Sequence, residues 1–79
     1  MQHLTDETRW ALISRLAHAH EHHGRFKSYT HGLRAIDDEI GEVWIAIQRE
    51  TPQRVYEELL DVATVAIRYA EQMKREGVV

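Results

Sequence analysis

The 79-residue chain contains no cysteine. Disulfide scaffolds, thiolate zinc sites and thiol nucleophiles are thereby excluded, and the absence fits a reducing, cytoplasmic compartment. No apolar run approaches the roughly 18 residues that cross a bilayer. The opening MQHLTDETRW also lacks the basic and apolar regions of a signal peptide, so no membrane partner is expected. There is no cluster of Lys and Arg; 10 basic residues face 13 acidic ones, for a net charge of −3. A nucleic-acid backbone is therefore not an expected partner. Apolar residues make up 43% and charged residues 29%, which suits a folded globular chain. The length allows one domain, residues 1–79. Such a short domain buries little surface alone, so association with another chain is expected.

Proline and glycine are scarce as well, with one Pro and four Gly, and they divide the chain into three segments. The first runs from about residue 5 to 23. Thr5 suits an N-cap, Asp6 and Glu7 suit a helix start, and Gly24 suits the residue after the end. Its apolar positions Trp10, Ile13, Leu16 and Ala17 recur at helical spacing. Residues 26–30 have no helical period and read as a connection. The second segment runs from about 32 to 50, and the third from about 52 to 75. Thr51 and Pro52 suit the N-cap and first position of the third helix, and Gly77 closes it. No stretch alternates at period two. The predicted fold is all-α, with three helices.

The phase of the carboxylates is informative. With Ile36 at 0°, Ile40, Val43 and Ile47 fall within about 40° of it, while Glu39 and Glu42 lie at about 300° and 240°. With Val55 at 0°, Leu59, Val62 and Ala66 fall within about 40°, while Glu58 and Asp61 again lie at about 300° and 240°. Each acidic pair is spaced i, i+3, so its side chains leave adjacent turns in one direction. Two packed helices can thus aim four carboxylates at one volume. Without a cation the four repel one another and their pKa values rise. A hard divalent ion, Mg²⁺ or Mn²⁺, removes that penalty. The plainer reading of the same pattern is a solvated acidic flank.

Asp38-Glu39-Ile40-Gly41-Glu42, fifteen further residues, and Glu58-Leu59-Leu60-Asp61 resemble the EExxE…ExxD signature of the MazG-like all-α nucleoside triphosphate pyrophosphohydrolases. The flanking residues His31 to Ile36, and Val62-Ala63 through Ala66-Ile67-Arg68, resemble the short, phage-type members. The resemblance spans about residues 26–73. It implies Mg²⁺-dependent hydrolysis of a nucleoside triphosphate to a monophosphate and pyrophosphate, with a deoxynucleotide, and weakly a purine, as the expected substrate in nucleotide-pool control. It also implies that Glu39, Glu42, Glu58 and Asp61 hold the metal, with Mn²⁺ as a possible substitute. The general base would come from the first motif: Asp38, which is one methylene shorter than the family's leading Glu, or Glu39.

Phosphates need donors. Arg68 lies seven residues beyond Asp61 on the same face; it reads as a phosphate contact or as a salt bridge to the acidic residues. Lys27 and Arg34 precede the first motif and read as contacts to the triphosphate tail or as solvated cations. His31 reads as a base, a phosphate contact or an ordinary helix-start residue. The run His18-Ala19-His20-Glu21-His22-His23 offers an i, i+4 pair but too few ligands for a zinc site. Off the main stripes lie Ile45, Tyr56, Leu60 and Ile67, a second apolar set that calls for a partner helix. The resemblance implies a homodimer or homotetramer with a four-helix-type bundle at its core. The alternatives are a degenerate nucleotide-binding member without turnover and a helical protein-interaction module.

Overall fold

The computed structural model describes residues 3–49 and 51–79. It is all-helical: α1 (Asp6–His22), α2 (Tyr29–Arg49) and α3 (Pro52–Arg75), with no strand among the described residues. None of these helices is long and apolar enough to cross a membrane.

Local chemistry sets most helix ends. Thr5 caps α1, its hydroxyl accepting from the Thr8 N–H at 3.2 Å. Thr51 caps α3 in the same way, with Pro52 in its first turn. After α3, the Val78 N–H donates to the Met73 carbonyl and the Gly77 N–H to the Lys74 carbonyl. Gly77 has φ +73°, which completes a Schellman ending. Two expected boundaries differ. Gly24 has no left-handed conformation; α1 instead stops at an extended His23. And α2 begins at Tyr29, three residues before the expected start. There Ser28 supplies the cap, its hydroxyl accepting from the His31 N–H at 3.1 Å and its carbonyl from the Gly32 N–H.

Both α1 and α2 pack on α3, and among the described residues they do not pack on each other. On α2 the buried and half-buried residues Gly32, Ala35, Ile36, Glu39, Val43 and Ala46 fall at about 260–360°. Gly32 lies under the Tyr69 ring, where a Cβ would overlap the Cδ2 and Cε2 carbons. The apolar residues Leu33, Ile40, Trp44 and Ile47 are exposed, and they fall at about 20–80°. The inward face is therefore turned away from the most apolar stripe. On α3, too, the expected stripe is turned partly outward: Leu59 is 52% exposed, whereas the off-stripe Leu60 is 6% exposed.

The off-stripe set on α3 is partly accounted for within the chain. Leu60 is buried, and the Tyr56 hydroxyl pairs with the Thr8 hydroxyl of α1 at 2.8 Å. α1 buries Leu12 and Ala19, whereas Trp10, Ile13 and Ala17 of its expected stripe are exposed. The connector between α1 and α2 is tied to the end of α3. Phe26 is buried, and the Gln72 amide accepts from its N–H and donates to its carbonyl, both at 2.7 Å. Arg25 makes a two-point ion pair with Glu76.

Gly32→Ala is expected to destabilise the fold by about 1–3 kcal/mol, because Tyr69 is braced by Phe26 and Tyr29 and cannot swing clear freely. Denaturant melts of the two proteins check this.

Candidate metal centre and anion cleft

Because α1 and α2 both lie on α3 without meeting, a cleft of about 870 Å³ opens between them. Its walls carry Asp38, Glu39 and Asp61, and also Arg15, Lys27, His31 and Arg68. The cleft is thus bounded by both carboxylates and cations.

Glu39 of α2 and Glu58 and Asp61 of α3 each offer a carboxylate oxygen such that all three lie within 4.8 Å of one another. Glu58 is buried, and the other two are half-buried. The i, i+3 spacing delivers Glu58 and Asp61 from adjacent turns of α3. Glu39 falls inside the buried face of α2, which brings it to the same place. Its pKa is raised, first by burial and then by the neighbouring charges of Asp61, Glu58, Glu42 and Asp38. Glu42, the fourth expected ligand, is exposed and outside this group. Asp38 is exposed on the cleft wall. No described histidine joins a group of three metal-competent residues; His18 and His22 stack on each other with ring centres 4.3 Å apart.

Two arginines partly neutralise the carboxylates. Arg54 donates from Nη2 to Glu58 Oε1, one turn away on α3. Arg15 of α1 donates from Nε to Asp61 Oδ1 at 2.9 Å. Neither stood out in the sequence. The available signal for Arg15 was its position on the flank of the Leu12–Leu16–Ala19 face, where a cation needs a reason to point inward.

The cationic part centres on Arg68. Its guanidinium carbon lies 4.3 Å from the centre of the Phe26 ring. Its Nε and Nη1 are shielded from solvent with no hydrogen-bond partner among the described residues. Burial lowers its pKa. Unmet buried donors are costly, and an anion entering the cleft would satisfy them. The alternative reading of Arg68, a salt bridge to the acidic residues, is not formed among the described residues, where Asp61 pairs with Arg15 and Glu58 with Arg54. His31 accepts from the Lys27 N–H at its Nδ1, so its imidazole helps to close the start of α2 while lining the cleft. Lys27 also lines the cleft; Arg34 is exposed and does not.

The donor set is oxygen-only and anionic, which fits a hard divalent cation such as Mg²⁺ or Mn²⁺. The raised pKa of Glu39 is the penalty that such a cation would remove. In comparisons with known proteins, no family model, no curated protein and no solved structure matches the chain.

Glu39→Gln is expected to raise the melting temperature at neutral pH in EDTA. Glu39 holds its proton more tightly folded than unfolded, so it costs stability as pH rises from its ordinary value through the raised one, and the full cost is present at neutrality. Melting curves from pH 4 to 8 check both the sign and the loss of this slope in the variant.

Proposed function

We propose that the protein is a Mg²⁺-dependent nucleoside triphosphate pyrophosphohydrolase, acting on a deoxynucleotide to release its monophosphate and pyrophosphate. The observation that carries this reading is one cleft walled by two of the three grouped carboxylates, Glu39 and Asp61, with buried Glu58 completing the group, and by Arg68, whose Nε and Nη1 have no hydrogen-bond partner among the described residues. The resemblance of residues 38–42 and 58–61 to the MazG-like signature names the reaction. Glu39, Glu58 and Asp61 would hold the metal, with exposed Glu42 able to join from one turn along α2. When bound, the divalent ion supplies charge neutralisation on the phosphates and a more acidic water.

The remaining work falls to side chains. Arg68 lines the cleft and would bind a phosphate oxygen there, and its place over Phe26 holds the planar group in one orientation. Lys27 adds charge near the mouth, and His31 is positioned for a second contact. Asp38 and Glu39 both face the cleft, and either can accept the proton of the attacking water. Arg34 is a weaker candidate, because it stands outside the cleft.

The active form is proposed to be a dimer or tetramer. Leu33, Ile40, Trp44 and Ile47 form an exposed apolar stripe on α2, and Leu59 is exposed beside it on α3. A second copy covering this stripe would complete a four-helix-type bundle. The same stripe favours the second reading, a helical interaction module, in which Arg15 and Arg54 already neutralise the carboxylates and no metal binds.

Pyrophosphate release from a panel of NTPs and dNTPs, with Mg²⁺ and then with EDTA, separates the two readings. Turnover is expected with Mg²⁺ only. Glu39→Gln and Asp61→Asn are each expected to lose at least about a hundredfold in kcat/KM while keeping the helical fold. Full activity in both variants would refute the metal assignment. Trp44→Glu is expected to shift the protein to a monomer by light scattering.

A further inference from the structure

We propose that Arg15 is a phosphate-binding residue held in reserve on Asp61: a divalent cation displaces it from the carboxylate, and it then engages the anionic ligand in the same cleft. The inference rests on the metal-centre reading above. It also adds to that reading, because Arg15 lies on α1, outside both acidic motifs.

Three observations carry it. The Arg15 guanidinium occupies an oxygen of one of the three grouped carboxylates, at 2.9 Å. A divalent cation on that oxygen would face a full positive charge at contact distance, so the two compete for it. The hold is also a single point. Among the described residues, Nε alone reaches Asp61, and the terminal nitrogens make only a 3.5 Å contact from Nη1 to the Ala11 carbonyl. By contrast, Arg25 commits two nitrogens to Glu76. The edge of Arg15 that matches a phosphate is thus largely uncommitted. Finally, Arg15 lines the cleft that also holds Arg68 and Glu39, and its side chain is 28% exposed. A released guanidinium therefore stays within the cleft wall, on the α1 side.

Exchange of this kind has a distinctive sign. Removing Arg15 should help the metal and hurt the anion. A residue that merely clamps α1 to α3 would do neither selectively. Arg15→Gln keeps most of the side-chain length and removes the charge. Thr8→Val is the control: it cuts the Thr8–Tyr56 bond, the other polar link between α1 and α3 among the described residues, without touching the carboxylates.

The experiment is calorimetric titration of wild type, Arg15→Gln and Thr8→Val with Mn²⁺ alone. A second titration uses methylenediphosphonate, a non-hydrolysable pyrophosphate mimic, at saturating Mn²⁺. Circular dichroism verifies the fold of each. Arg15→Gln is expected to bind Mn²⁺ several-fold more tightly and the diphosphonate roughly tenfold more weakly, with Thr8→Val near wild type in both. If Arg15→Gln does not fold, Arg15→Lys replaces it; it keeps the charge, loses the planar fork, and is expected to weaken diphosphonate binding without abolishing it. Wild-type Mn²⁺ binding with unchanged or weaker Mn²⁺ affinity in Arg15→Gln overturns the competition. Unchanged diphosphonate affinity overturns the phosphate role. Absence of Mn²⁺ binding by wild type overturns the metal centre itself, and this inference with it.

Discussion

Glu58 is buried on α3 with two more carboxylates close by, and much of the molecule is arranged around that concentration of like charge. A buried anion needs a counter-charge, or it takes up a proton or leaves the interior. Arg54 reaches Glu58 from the preceding turn of α3, and Arg15 reaches Asp61 from α1. The second of these fixes the register of α1 on α3 as well, since α1 buries only Leu12 and Ala19. Glu39 has no such partner among the described residues, and its burial beside Asp61 and Glu58 raises its pKa. The Arg15–Asp61 pair, which joins α1 to α3, is thus also one that a metal on the carboxylates would rearrange.

The cleft depends on the connector as much as on the helices. Residues between α1 and α2 hold the two apart and place Phe26 beneath Arg68. Gln72 makes this possible by satisfying both backbone groups of Phe26, which would otherwise be stranded in the interior. Arg25 and Glu76 pin the same segment at the surface, and the pairing holds the Glu76 carboxyl below its ordinary range. Arg68 keeps its donors unmet because the aromatic face beneath it offers charge stabilisation but no acceptor.

Features set by neighbours in sequence were legible in advance. The Thr5 and Thr51 caps, the Pro52 start and the closing Gly77 follow from local chemistry, and the structure has them. The shared phase of Glu39, Glu58 and Asp61 was legible too, because helical periodicity alone places them. What periodicity could not supply was which stripe faces inward. Ile40 and Ile47 are more apolar than Gly32 and Ala46, yet the small residues are the buried ones. Close packing of α2 on α3 needs small side chains at the contact, and Tyr69 fills the space above Gly32. The start of α2, the role of Gln72 and the Arg15–Asp61 pair depend on residues roughly 46 positions or more apart, or on a cap easily read as a loop.

Chain order and packing order differ here, which bears on how the molecule assembles. Two residues separate α2 from α3, so this pair can close as a local hairpin with little loss of loop entropy. Among the described residues, the hydrogen bonds between α1 and α3 span 46 or 48 positions, and those from the connector to α3 and its cap span 46 or 51. The second wall of the cleft therefore rests on pairs far apart in sequence, which must bear the entropy of closing a long loop, whereas its first wall is built from near neighbours.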